Sequence, residues 1–329
     1  MVAGKHSIRT YALAILAGWI LLSAAGVYMA RSKGIPASLA VPIVAAFLFE
    51  YAFFLVPGFE SLRNWLSDRV PVRTLAFSIA LSGIAPYLLY SLATGQFRRV
   101  AAVRLTVLVL ALSYWYVFRR PSRVSDLAFL ALVTAALVTR GFFRQIYISP
   151  APSIPNLEIL GRLMLARLVP MVMLTIREVD GTGFGFVPTA REWKIGVKYF
   201  AIFLPIGVGL SAALKLFAIK TSTTELAVAP FLFLLFFWAV ALPEEFLARG
   251  LLQQWLSNWS GQRTIGLVVA SCVFGLAHLW FSPGYPNWKM AITAAVAGFF
   301  YGKAYIEAGG VRASAITHAL VVTVWRTLS

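Results

Sequence analysis

The chain has 329 residues, of which 60% are hydrophobic and 12% charged, with a formal net charge of +17. A soluble domain holds about 25% charged residues, so water is excluded as the main solvent of this protein. The positive charge sits in short loops such as Arg98-Arg99 and Arg119-Arg120, where it suits anionic lipid headgroups. No basic face with interleaved stacking aromatics marks a nucleic-acid surface.

A helix that crosses a bilayer needs about 20 mostly apolar residues, and such runs recur along the whole length. The first, Tyr11 to Ala30, follows Lys5 and Arg9. It has the charge order of a secretion signal but the length of a span, and is expected to be a retained helix. His6, in the polar segment before it, is expected to be solvated. Further runs cover Pro36 to Pro57, Thr74 to Ala93, Val100 to Phe118 and Val124 to Thr139. These five make residues 1–150 an N-terminal membrane block, to which the sequence assigns no function. Two of its charges fall inside spans, Glu50 and Arg104; pairing across helices, lining a cavity and snorkelling all remain open for them.

Prolines at Pro150, Pro152 and Pro155 break helix. The run Asn156 to Ile176 is helical in pattern but interrupted by Glu158, Arg162 and Arg167, and reads as a protein-facing span or an interfacial helix. A Gly-rich loop follows over Asp180 to Lys194, with Gly181, Gly183 and Gly185. Spans then run near Ile195 to Phe217, Leu226 to Leu252, Thr264 to Phe281, Trp288 to Ile306 and Val311 to Leu328. The sequence therefore predicts an all-α, polytopic transmembrane bundle of about ten membrane helices, with a second domain over residues 151–329. Alternate N-terminal loops hold similar numbers of Lys and Arg, so the positive-inside rule sets no orientation.

An ionisable side chain at membrane depth costs a few kcal/mol on insertion scales unless it is paired or faces a wet cavity. The densest group is Pro243-Glu244-Glu245-Phe246-Leu247-Ala248-Arg249. Glu245 and Arg249, four residues apart, share a helix face and can form an ion pair. Glu244 points about 100° away and has no partner within its own turn, the setting of a general base. Two of the three histidines, His278 and His318, also lie in predicted spans. With alternating helix directions, Glu244 and His318 reach a similar depth, and His278 lies a turn or two deeper. The single cysteine, Cys272, excludes an internal disulfide and any cysteine-built zinc site, and reads as an inert core residue.

Glu244-Glu245 with Arg249, Phe274 followed by His278, and a membrane histidine at His318 together resemble the CAAX-processing and bacteriocin-processing intramembrane protease family, over about residues 158–328. The resemblance implies peptide-bond hydrolysis in or beside the membrane. Glu244 would activate water, His278 and His318 would position it or stabilise the oxyanion, and Glu245, Arg249 and Phe274 would support them. Its substrate would be a membrane-anchored or lipid-associated protein or peptide. In that family Asn or Asp usually stands four residues after the last histidine, and here that position is Val322. Thr317 and Thr323 are the nearby polar groups that stand ready to replace it.

No cofactor is expected. Two histidines with one or two glutamates are also a legitimate zinc set, and the glutamate-dependent reaction is preferred on the resemblance. Two rival functions stay open: a non-catalytic relative that scaffolds membrane partners, for which Val322 argues, and a transporter with a proton relay through the same residues. Short loops, scarce cysteine and abundant alanine suggest a bacterial cytoplasmic (inner) membrane. Oligomeric state is not indicated.

Overall fold

The computed structural model describes residues 2–139, 141–216, 223–280 and 284–328, and these are helical with no strand among them. Seven of the described helices are long and apolar enough to cross a membrane: Ile8–Ser32, Ala37–Gly58, Val72–Ala93, Arg99–Phe118, Ala190–Ala213, Leu226–Ser260 and Arg263–Trp280. Large apolar side chains such as Val103, Phe118 and Phe231 stand exposed on their outer faces, as they do where lipid is the solvent. The chain is an integral membrane protein. The expected span ends at Phe217 and Phe281, and the side chain of His6, lie outside the described residues.

By contacts the chain divides into two units, Met1–Val179 and Asp180–Ser329, a boundary later than the 150/151 junction expected from the sequence. The reason is the helix Glu158–Thr175, which packs inside the first unit. That unit contains α1 (Val2–Ser32), α2 (Ala37–Leu55), α3 (Glu60–Arg69), α4 (Val72–Ala93), α5 (Arg99–Phe118), α6 (Arg123–Val138), α7 (Phe142–Ile146) and α8 (Glu158–Thr175). Helix α6 begins cleanly because Ser122 Oγ caps it by accepting the Ser125 N–H. At 16 residues it rises only about 24 Å, short of a full bilayer core. The run Val124 to Thr139 was expected to span, and it does not reach that length.

Helix α8 is buried along most of its length and carries Arg167 to Glu50 of α2. Arg167 Nε donates to Glu50 Oε1 at 2.6 Å and Nη2 to Oε2 at 3.1 Å, while Ser82 of α4 accepts through its hydroxyl at 2.9 Å and its carbonyl at 2.7 Å. Pairing across helices is thus the outcome for Glu50. Arg104 instead donates to Gln145 at 2.7 Å on the surface.

The second unit holds α9 (Ala190–Ala213), a long helix assembled from α10 (Thr223–Phe236), α11 (Leu242–Glu245) and α12 (Gln254–Ser260), then α13 (Arg263–Ala277), α14 (Trp288–Ala308) and α15 (Val311–Leu328). Thr189 and Glu192 form a capping box that starts α9, and Arg312 of α15 pairs with the same Glu192 at 2.8 Å. Helix α15 is the interior element, packed on α9, α10 and α14. Its small residues Ala313, Ser314, Ala315 and Ala319 are fully buried and allow close approach. Neither α14 nor α15 is among the seven apolar helices; the polar groups Ser314, Thr317, His318, Thr323 and Thr327 of α15 are buried in protein instead.

The Gly-rich loop fixes where α15 begins. The Val311 N–H donates to the Thr182 carbonyl at 2.8 Å. Gly183, at φ +62°, lies so close that a Cβ there would stand 2.6 Å from the Gly310 Cα. No other residue combines that backbone conformation with that contact.

Contact between α9 and α15 is equally tight at Gly196. A Cβ on Gly196 would lie 2.7 Å from the Ile316 side chain and 2.9 Å from the Ala313 carbonyl oxygen, and the Gly196 carbonyl accepts from the Thr317 hydroxyl at 3.0 Å. Backbone cannot yield as a side chain tip can. Gly196→Ala is expected to cost about 1–3 kcal/mol, read as a lowered thermal midpoint of the detergent-solubilised protein.

Candidate active site

The site grows out of a break in helical register. The Leu242 N–H bonds to the Phe237 carbonyl, five residues back, and the segments Phe237–Ala241 and Phe246–Gln253 are both π-helical. Pro243 supplies a cause. Its ring lacks a donor and collides with the carbonyl four residues earlier in a regular helix, and a widened turn relieves both problems. Between the two widened segments the short stretch Leu242–Glu245 holds both glutamates, and widened turns of this kind are frequent at functional sites.

Successive residues point to different sides, and the two carboxylates separate accordingly. Glu245 is wholly buried, whereas the Glu244 side chain is 37% exposed and lines a cavity of about 310 Å³. His278 and His318 line the same cavity. The remaining walls are mostly apolar, with Phe203, Val240, Ala294, Ala297, Val321 and Val322 among them. His278, expected to lie a turn or two deeper than the other two, lines the same cavity from the tight 3₁₀ turn that follows the end of α13 at Ala277.

Glu245 is the centre of the supporting network. Its Oε2 accepts from Arg249 Nε at 3.0 Å, and its Oε1 lies 3.0 Å from His318 Nδ1. The ion pair with Arg249 is the one the four-residue spacing predicts. The bond to His318 is additional, and spacing within one helix cannot reveal it. His318 Nε2 faces Glu244 Oε2 at 4.0 Å. Its ring stacks on Tyr301, with centroids 4.7 Å apart and planes at 15°, and meets Phe274 edge-on at 5.7 Å and 88°.

Phe274 joins the parts. Its ring lies 4.7 Å from that of His278 and 5.2 Å beneath the Arg249 guanidinium, and its carbonyl is 2.8 Å from His278 Nδ1. A carbonyl can only accept, so Nδ1 carries the proton that His278 donates there. Gln253 continues the series Glu245, Arg249 and Gln253 at four-residue spacing, approaching Arg249 Nη1 at 3.5 Å and donating to the Gly302 carbonyl at 3.3 Å. Arg249 Nη2 is buried with no hydrogen-bond partner among the described residues. A Cβ on Gly298 would come within 3.0 Å of it, so that glycine makes room for the guanidinium.

Tyr301, Gln253 and Asn287 are missed by the sequence reading. Gln253 was legible, since it extends the Glu245-Arg249 face. Tyr301 had a weaker signal in the small-residue face Ala294, Ala297, Gly298, Tyr301 and Gly302 of α14. Asn287, which caps α14 by accepting the Met290 N–H at 3.0 Å, lines the cavity from a loop that carries no motif. Two expectations fail. Thr317 and Thr323 do not line the cavity; their hydroxyls donate to the carbonyls of Gly196 and Ala319 at 3.0 and 2.7 Å. Cys272 is exposed rather than a core residue, because it shares the outer face of α13 with Val269, Val273 and Leu276.

Among the described residues no group of three or more His, Cys, Asp or Glu is arranged to hold a metal ion.

Residues 226–324 match the family model described as type II CAAX prenyl endopeptidase Rce1-like. The matched stretch contains Glu244, Glu245, Arg249, Phe274, His278, His318 and Val322, and over it the resemblance read from the sequence holds. No curated protein and no solved structure matches the chain.

Proposed function

We propose, from a segment that matches this endopeptidase family, that the chain is an intramembrane endopeptidase. It would hydrolyse a peptide bond in a membrane-anchored or lipid-associated protein or peptide. The observation that carries the reading is the convergence of Glu244, His278 and His318, from three separate helical segments of residues 226–324, on one largely apolar cavity. Glu244 is the carboxylate with access to water, and so the general base. Glu245, committed to Arg249 and His318, is not available for that role. The histidines supply groups that can stabilise charge developing on the substrate carbonyl, in a site whose apolar walls strengthen each such interaction. Apolar walls also suit a substrate that arrives from lipid.

The test compares the termini of membrane proteins in cells carrying wild type and Glu244→Gln. Termini present with wild type and lost in the variant would identify the substrate and the cleaved bond together. Their absence under expression conditions would overturn the reading.

The preferred reaction is glutamate-dependent and needs no metal. Purified protein is therefore expected to keep its cleavage rate within about twofold after chelator treatment, given that a metal-activated water would be lost outright with its metal. Loss of cleavage that added zinc restores would reverse this assignment. A second reading, a non-catalytic relative that binds membrane partners, is favoured by one observation: Val322 lines the cavity where the family usually has an amide or acid. For the cellular setting we propose a bacterial inner membrane with anionic lipid at the basic loops.

A further inference from the structure

We propose that Arg249, Glu245 and His318 form a tautomer lock in which Glu245 is a positioning residue, leaving His318 Nε2 as the one ring nitrogen that exchanges a proton with Glu244 and the substrate. The proposal rests on the protease reading above and assigns a task within it.

The lock follows from donor and acceptor chemistry. A guanidinium is always charged and only donates, so the Glu245 oxygen that faces Arg249 Nε at 3.0 Å is an acceptor. An ionised carboxylate only accepts, so His318 Nδ1, 3.0 Å from the other oxygen, must carry a proton whether the ring is neutral or cationic. Stacking on Tyr301 and the edge contact with Phe274 hold the ring against flipping. The remaining nitrogen, Nε2, faces Glu244 Oε2 at 4.0 Å. One proton is then shared by two sites, Nε2 and the Glu244 carboxylate.

This arrangement supports a closed proton cycle. With the proton on Nε2, Glu244 is ionised and takes a proton from water as the water oxygen bonds to the substrate carbonyl carbon. The carbonyl π electrons move onto oxygen. On collapse of that adduct, Nε2–H passes its proton to the amide nitrogen as the C–N bond breaks, giving an acid and an amine. Glu244 now holds a proton and His318 is neutral. Transfer from Glu244 to Nε2, which stand 4.0 Å apart, through one bridging water that gives up a proton to Nε2 as it takes the one from Glu244, restores the start. Water and peptide are consumed, and nothing else is needed.

Glu245→Gln tests the lock because Arg249 dictates how the amide must sit. Arg249 still requires an acceptor, so the amide oxygen stays on it and the NH₂ turns to His318 Nδ1. Two donors cannot face each other, and the neutral ring must move its proton to Nε2. The readout is the ¹⁵N spectrum of the full chain labelled with ¹⁵N-histidine in lipid nanodiscs, with His318 assigned by its loss in His318→Gln.

Wild type is expected to show Nδ1 protonated and Glu245→Gln to show Nε2 protonated. With a peptide spanning the bond found in the terminal comparison, kcat is expected to fall at least about 100-fold while KM changes less than about threefold, since a wrong tautomer damages the chemical step. Glu245→Asp keeps an acceptor and should keep Nδ1–H. A wild-type ring protonated only on Nε2, or a Glu245→Gln protein with wild-type spectrum and rate, overturns the lock. Should Glu245→Gln fail to fold, the wild-type spectrum alone decides. A tautomer switch in a protein whose wild type cleaves nothing would support the lock and sink the protease reading.

Discussion

Glu244→Gln is expected to lower cleavage by about 10²–10⁴-fold, the range that a positioned general base contributes, while membrane levels stay near those of wild type. The two halves of that expectation come from the same geometry. Among the described residues Glu244 makes no hydrogen bond that holds helices together; its carboxylate lies 4.0 Å from His318 Nε2, and its side chain is 37% exposed in the cavity. Replacing one oxygen by an amide keeps size and shape but removes the basic site. His278→Ala should fall in the same direction, with some loss of packing against Phe274 added. A scaffold that merely binds partners would tolerate both changes. A proton-coupled transporter would fail in both, but its uptake would persist with every proteolytic event excluded. Rates with purified protein and one defined peptide, set beside abundance in the membrane, separate the three.

Local chemistry made much of this legible in the sequence. The spacing of Glu245 and Arg249 predicts an ion pair because four residues return to one helix face, and the structure has that pair at 3.0 Å. The unequal surroundings of Glu244 and Glu245 follow from their angular separation on one helix. What the sequence could not carry was contact between helices. The bond from His318 to Glu245 joins residues 73 apart, and no periodicity reports such a distance. The register break around Pro243 hides its effect as well, since widened turns depend on how neighbours pack and not on a residue pattern. Val322 was visible as a departure from the family pattern, and the structure adds that it lines the cavity.

Membrane content was readable for the same reason, up to a limit. Lipid-facing helices announce themselves by composition, and seven do. Helix α15 shows less of it, because an interior helix answers to protein neighbours and can carry Thr317, His318 and Thr323 fully or nearly buried. The polar interruptions of Asn156 to Ile176 left its placement open. The choice between interfacial and protein-facing turned on whether Arg167 had a partner, and that partner, Glu50, lies 117 residues away.

That pair gives the largest stability effect expected in the first unit. Arg167→Ala, or Glu50→Ala, should cost about 3–5 kcal/mol, because each leaves an uncompensated charge in a site that excludes water. Arg167 is 2% exposed and Glu50 1%; Arg167→Ala removes all four hydrogen bonds from the guanidinium to Glu50 and Ser82, and Glu50→Ala removes the two to the carboxylate. The double variant Glu50→Leu with Arg167→Met should recover most of the loss, since replacing a buried pair by apolar side chains of similar volume is often neutral. Thermal midpoints of wild type, Glu50→Leu, Arg167→Met and the double variant in one detergent provide the cycle. Additive losses in the double variant would mean that the two residues do not act as a pair. Recovery of stability without recovery of the cellular terminal-processing pattern would instead give the charges themselves a role beyond holding α2, α4 and α8 together.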